Sequence, residues 1–467
     1  MIIRKDVIKL TVPVILEQTF VVLMGVINTI MAGHLGKEAV SAVGMVDSVN
    51  NIFIAFFSAL AVGGTVVVAQ YAGRGSLGSA NEAARHTLYA GFVLSLFITV
   101  VLFIFRYSVV SLLFGGAEST VIGYSMVYLQ ITLPTYPLIA ITAIACGVLR
   151  GTGDTRTPMK VTIIMNFLNV ILSYFLIYGL HIRTAHLSIS IPAYGIKGAA
   201  LGIAAARTIG TALILFTLFK GSKLIKLTID RHFKLDISML KAIFGLGIPA
   251  SVESLLFNGG KLITQIFVVG MGTASIAANY IGGSLFGLIN IPGTAISIAA
   301  TTLVGQHMGR QEKEEAKGMI VYLTKAAGIC LFVICAAIFP FSNFLPSLYT
   351  DNGDVIRITG DLLKTAVASM PLFWVVSFII PAGLKGAGDA KFTMYVSVFS
   401  MWAFRITLGY ILGVPLKLGV IGVWLGMYID WMVRGIFFYM RLRRGKWLNN
   451  MVICNDGCED EVTSSPQ

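Results

Sequence analysis

Apolar runs of membrane-spanning length recur along this chain, separated by short polar joints. A spanning helix needs about 20 mostly apolar residues. Twelve segments meet that need, near 10–33, 39–71, 87–113, 122–148, 159–180, 195–219, 242–270, 275–307, 320–348, 360–384, 392–413 and 419–440. The runs at 39–71 and 275–307 exceed one span, which predicts tilt or an interfacial turn in each. The pattern predicts an all-α integral membrane protein of twelve transmembrane helices.

The pattern also repeats. At an offset of 236, Pro13 and Glu17 match Pro249 and Glu253, Gly36 matches Gly272, Gln70 matches Gln306, and Gly73-Arg74 matches Gly309-Arg310. At 235, Leu149-Arg-Gly-Thr-Gly-Asp154 matches Leu384-Lys-Gly-Ala-Gly-Asp389. Near each half's end, Gly195-Ile-Lys-Gly-Ala-Ala-Leu-Gly202 matches Gly419-Val-Ile-Gly-Val-Trp-Leu-Gly426 at 224, which implies a longer outer loop around 181–194. Six segments per half is an even number, so both halves enter the membrane in the same sense, as parallel repeats. The expected organisation is a six-helix bundle over 1–219, a cytoplasmic linker over 220–241, a second bundle over 242–446, and a polar, disordered tail over 447–467. The two bundles are expected to flank a central cleft.

Composition agrees: 56% of residues are hydrophobic and 12% charged, against about 25% charged in soluble domains. The net charge of +13 does not point to nucleic acid, because the cations alternate with the spans. They gather at residues such as Arg4, Lys5, Arg74, Arg150, Lys220, Lys241, Arg310, Lys385 and Arg441, whereas the other ends hold few, such as Lys37, Arg183, Lys197 and Lys417. The positive-inside rule then places both termini and the central linker in the cytoplasm, with anionic lipid as a contact. The first apolar run reads as a retained helix rather than a cleaved signal. Cys146, Cys330 and Cys335 lie in apolar spans, and Cys454 and Cys458 form a lone C-x3-C where a zinc site would want about four ligands. No metal, cofactor or catalytic motif is expected, and the chain is not read as an enzyme.

The chemistry lies in the interior charges. Glu17 and Glu253 each follow a proline by four residues inside an apolar run, and intramembrane acids are functional candidates by default. Asp47 is a further acid in a span. Arg207, Lys261, Arg405 and Arg434 are cations in or beside apolar runs. Lys261 follows Glu253 by eight residues, on the same helix face two turns away, which suggests a shared cavity. Asp430 and Arg434 have the i, i+4 spacing of a pair, while Arg405 has Asp47, Glu17 or Glu253 as possible partners. In the repeated loops, Gly151 and Gly153, with Gly386 and Gly388, permit a tight turn, and Asp154 and Asp389 suit helix capping.

These segments together resemble the MATE (multidrug and toxic compound extrusion) family. The resemblance rests on Pro13 to Glu17, Met31-Ala-Gly-His-Leu-Gly36, Leu149-Arg-Gly-Thr-Gly-Asp-Thr-Arg-Thr-Pro158, Pro292-Gly293 with Ala300-Thr-Thr-Leu-Val-Gly-Gln306, and Asp430 with Arg434. It spans about residues 5–447. It implies a secondary antiporter of the cytoplasmic membrane, exporting a small organic, lipophilic and cationic compound in exchange for H⁺ or Na⁺. It also implies a monomer using alternating access. Glu253 would lead the cation-coupling set, with Glu17, Asn28 and Asp47. Asn28 stands where many members carry aspartate, and Ser173, after Asn166 and Asn169, where some carry another acid. These last three residues, Lys261 and Arg405 are the expected substrate-cleft groups. A lipid-linked precursor flippase of the same superfamily is the alternative.

Overall fold

The computed structural model describes residues 2–33, 35–114, 118–184, 187–222, 225–227 and 235–453. The first half contains α1 (Ile2–Gly33), α2 (Lys37–Arg74), α3 (Leu77–Ile104), α4 (Ser119–Gly151), α5 (Arg156–Tyr178) and α6 (Ile196–Lys220). The second contains α7 (Ile237–Val269), α8, α9 (Lys313–Phe341), α10 (Gly353–Gly386), α11 (Ala390–Gly413) and α12 (Gly419–Arg444). Eleven spans are single, and α8 is a pair, Thr273–Ile289 and Ile291–Gly309, bent by 52°. Pro292 begins its second limb and removes one backbone donor at the bend. Of the two long runs, 275–307 is therefore broken, while 39–71 lies in one continuous helix of 38 residues.

The duplication extends to the backbone. Gly36 and Gly272, which precede α2 and α8, have φ of 103° and 94°, and the loop glycines Gly153 and Gly388 have 85° and 104°. Gly75 at φ 84° is matched by Gln311 at φ 63°, so the second copy holds a side chain where left-handed backbone costs about 1–2 kcal/mol. Gln311→Gly is expected to stabilise the protein by about 1 kcal/mol. A thermal melt in detergent that does not rise would contradict this.

Two segments depart from the expected pattern. The outer loop of the first half forms an antiparallel hairpin, β1 (Leu180–Thr184) with β2 (Leu187–Ile191), in register from Leu180↔Ile191 to Thr184↔Leu187. Strand pairing satisfies the polar backbone of a loop too long for a turn. The tail is not disordered from 447 onward. Lys446–Asn449 makes a 3₁₀ turn, Trp447 is fully buried, and the Val452 amide donates to Gln70 Oε1 at 3.3 Å. Cys454 and Cys458 lie outside the described residues. Cys146 and Cys335 are buried and unbonded, as expected of small core residues.

Three buried cores hold the spans together. One fills the second half and takes in Val7 and Leu10 from α1. Another joins Val66 and Leu149 of the first half to Ile243 and Leu246 of α7, and the third lies within the first half, around Phe57 and Tyr136. The leading helix of each half therefore packs partly on the other half. The start of α7 is capped by Asp236, whose carboxylate accepts from the Ser238 and Met239 amides. The Ser238 hydroxyl and those amides hold the Asp236 carboxyl below its usual range.

Candidate functional site

The halves meet through matched residues at the ends that carry the basic loops. Gln70 Nε2 donates to Gly386 O at 3.2 Å, and its repeat counterpart Gln306 donates to Gly151 O at 2.9 Å. A Cβ on Gly73 would strike the Gln306 carbonyl, and one on Gly309 would strike the Gln70 carbonyl. Each contact is thus answered by its copy, as about a two-fold axis between the halves. The repeated loops, expected to make tight turns, supply the accepting carbonyls. Gly151 and Gly386 are needed for closeness: an added Cβ would stand 2.7 Å from Thr65 O in one and 2.5 Å from Thr301 O in the other. Asp154 accepts from the Thr157 amide at 3.2 Å and from Ser222 Oγ at 2.5 Å, whereas Asp389 accepts from Arg441 Nε at 2.7 Å and Asn450 Nδ2 at 3.0 Å. The two aspartates hold their loops with different partners.

Toward the opposite ends, an added Cβ at Gly25 or Gly44 would meet no atom within 4 Å. A cavity of about 1240 Å³ opens there, lined mostly by the first half and closed on one side by Tyr280, Ser284, Ile298 and Thr301 of α8. Glu17, Asn28, Asp47, Asn166, Asn169 and Ser173 all line it, so the structure brings six expected residues to one space. Arg150 and Arg207 line it too.

Its two carboxylates differ. Glu17 is buried, and its Oε1 accepts from Arg150 Nη2 at 2.6 Å and from Thr162 Oγ1 at 3.2 Å. Asp47 accepts from Asn50 Nδ2 at 3.2 Å and from the Tyr128 hydroxyl at 3.5 Å. No cation stands within 4.0 Å of Asp47 among the described residues, although Arg207 acts on it from further off. Arg207 is anchored by donating to Thr135 Oγ1 at 2.8 Å.

Glu253 does not line this cavity. Its carboxylate meets Lys385 Nζ at 2.7 Å, so it does not share a site with Lys261 as the helix spacing suggested. Lys385 occupies the position that Arg150 has in the first half. Each half thus carries the same acid–base pair, Glu17–Arg150 and Glu253–Lys385, joining its first helix to its fourth. The bases were visible only as members of the cytoplasmic charge belt; the repeat offset, applied to cations as well as acids, was the signal that could have found them.

Lys261 and Arg405 also lie away from the large cavity, in the second half, Lys261 exposed and Arg405 buried. Arg405 is not paired with Asp47, Glu17 or Glu253. It stands 4.0 Å from Asp430, which is also 4.0 Å from Arg434 in the expected i, i+4 arrangement. A π-helical turn, Met401–Ile406, carries Arg405 inward from α11. Such turns re-aim side chains and are frequent at functional sites. Asp430 Oδ1 accepts from Ser400 Oγ at 2.6 Å.

The residue pattern has known counterparts. The MatE family model matches residues 13–175 and 249–411, one copy in each half. An uncharacterized transporter of Bacillus subtilis, YisQ, is 28% identical, covering 94% of each chain. A probable multidrug resistance protein of Thermotoga maritima, NorM, is also 28% identical, covering 97% of this chain and 95% of its own. Among solved structures, a MOP superfamily transporter from Pyrococcus furiosus superposes with a TM-score of 0.84 at 24% identity, over 96% of each chain.

Proposed function

The chain belongs to the MatE family, and on that premise we propose that it is a secondary antiporter exporting small organic compounds across the cell membrane in exchange for H⁺ or Na⁺. One observation carries the reading. Two repeated halves are closed against each other by reciprocal contacts at one end, and toward the other lies a large, mainly apolar cavity that carries a few polar and charged groups, the plan that alternating access requires. The multidrug resistance named for the Thermotoga relative supports export of organic compounds. The working unit in this reading is a single chain, whose two halves both contribute to the cavity.

With the basic ends in the cytoplasm, the cavity opens outward. A coupling cation enters from outside and binds Asp47, the cavity carboxylate without a neighbouring salt bridge, helped by neutral oxygens such as those of Asn28, Asn169 and Ser173. Glu17 and Glu253, each held by a base, brace α1 and α7 rather than carry the ion. Cation binding at Asp47 displaces cargo, and the loaded halves rock to the inward state, where ion leaves and cargo enters. Each charge moved gains about 2.3 kcal/mol per 100 mV of membrane potential. The first-half cavity sets two carboxylates against two guanidiniums, so its charge does not select a cationic cargo. The flippase reading has one observation in its favour, the cations gathered in the second half.

The test uses proteoliposomes loaded with a fluorescent organic compound under separately imposed pH and Na⁺ gradients. Wild-type protein is expected to drive transport with one gradient, which identifies the ion. Asp47→Asn is expected to lower gradient-driven transport more than about tenfold, a loss of about 1.4 kcal/mol or more in coupling. Full coupling in Asp47→Asn would remove Asp47 from the mechanism.

A further inference from the structure

We propose that the second half contains a binding site for an oxyanion, a carboxylate, sulfonate or phosphate group carried by the transported molecule. This deepens the export reading and rests on it only for the direction of movement.

The site is a surplus of positive charge at membrane depth. Three cations surround the ring of Phe257: Lys261 Nζ at 5.0 Å from its centroid, Arg405 Cζ at 5.3 Å and Arg434 Cζ at 5.7 Å. Lys261 and Arg405 are close enough for their like charges to oppose one another, as are Arg405 and Arg434. Asp430 is the one carboxylate within 4.0 Å of any of them among the described residues. Glu253, two turns along α7, is committed to Lys385. The two buried cations, Arg405 and Arg434, therefore share a single carboxylate where charge is costly, and Lys261 adds a third positive charge beside them.

The cluster also leaves hydrogen-bonding atoms unused. Nε and Nη2 of Arg434 have no hydrogen bond, Nη2 standing 4.0 Å from Asp430 Oδ2, although the Arg434 side chain is only 3% exposed. An unmet buried donor is destabilising by about 1–3 kcal/mol, and more when charged. An oxyanion satisfies such a guanidinium with two parallel hydrogen bonds and supplies the missing negative charge. The cations are graded for entry: Lys261 is exposed, the Arg405 side chain is 11% exposed, and Arg434 is buried. Cation–π contact with Phe257 keeps Lys261 turned inward over the ring.

The test is equilibrium binding of a dansyl-labelled amino acid, and of its carboxamide, to full-length protein in phosphatidylcholine nanodiscs, read by fluorescence anisotropy. No gradient is imposed, so failure here is separate from failure of antiport. The carboxylate dye is expected to bind at least about tenfold tighter than the amide. Lys261→Gln is expected to abolish most of that preference and Lys261→Arg to keep it. Lys261 is exposed and its ammonium rests on the Phe257 ring, so these variants fold. Adding phosphatidylglycerol to the discs distinguishes the sources: displacement of the dye assigns the site to a lipid headgroup, and no displacement assigns it to a free organic anion. Equal binding of acid and amide, an unchanged preference in Lys261→Gln, or no binding of either dye would overturn the oxyanion site.

Discussion

Gly309→Val is expected to prevent the halves from closing at their basic ends and to move the population away from the form held by that contact. The reason is contact between backbones. A side chain at Gly309 would strike the Gln70 carbonyl, and neither partner is a flexible side-chain tip that can turn aside. Overpacking of this kind costs about 1–3 kcal/mol, and the upper end applies where backbone must shift. At about 3 kcal/mol a two-state equilibrium moves roughly 150-fold. Spin labels at Gly78 and Glu314, both exposed in the first turns of α3 and α9 beyond the contact, should report a longer distance in the variant. Gly73→Val should do the same, because its Cβ would strike the Gln306 carbonyl. The double variant should add little, since either change alone opens the same contact. An unchanged distance in both single variants would mean that this contact does not hold those ends closed.

The second large effect concerns the paired glutamates. Glu253→Gln should lower transport by about tenfold by leaving Lys385 without its partner. Removing one member of a buried ion pair is destabilising by about 3–5 kcal/mol. The side chains here are 20% and 15% exposed, so solvent reduces that to about 2 kcal/mol. The informative variant is the double, Glu253→Gln with Lys385→Gln, which removes the orphaned charge. If the pair is a brace between α7 and α10, the double should recover most of the transport lost in the single. If Glu253 itself takes up the coupling ion, the double should remain inactive, and the assignment of coupling to Asp47 would fall. Glu17 and Arg150 allow the same comparison in the first half, with the difference that both face the cavity.

The features legible in the sequence are those set by short stretches of chain. Span length follows from the thickness of the hydrocarbon layer, so twelve spans could be counted before any were placed. Backbone handedness follows from residue type, so Gly153 and Gly388, at matched positions, marked matched turns. The repeat offset aligned Glu17 with Glu253 and Gln70 with Gln306, and the structure gives each pair matched partners, a base of the fourth helix for the acids and a loop carbonyl of the other half for the glutamines.

What the tertiary structure decided was partnership. Glu17 meets Arg150 across 133 residues, Glu253 meets Lys385, and Arg405 meets Asp430 rather than any acid the sequence offered it. Choosing among such partners requires the rotation of each helix about its axis and its depth in the bundle. Hydrophobic length leaves both free, because a uniformly apolar span has no distinct inward face. The same freedom hid the charge balance. Lys261 shares a helix face with Glu253, yet their charges serve different sites, one at Phe257 and one at Lys385. Residue spacing determines which side chains share a face, but only the packing of α7 against α2, α11 and α12 determines what that face meets.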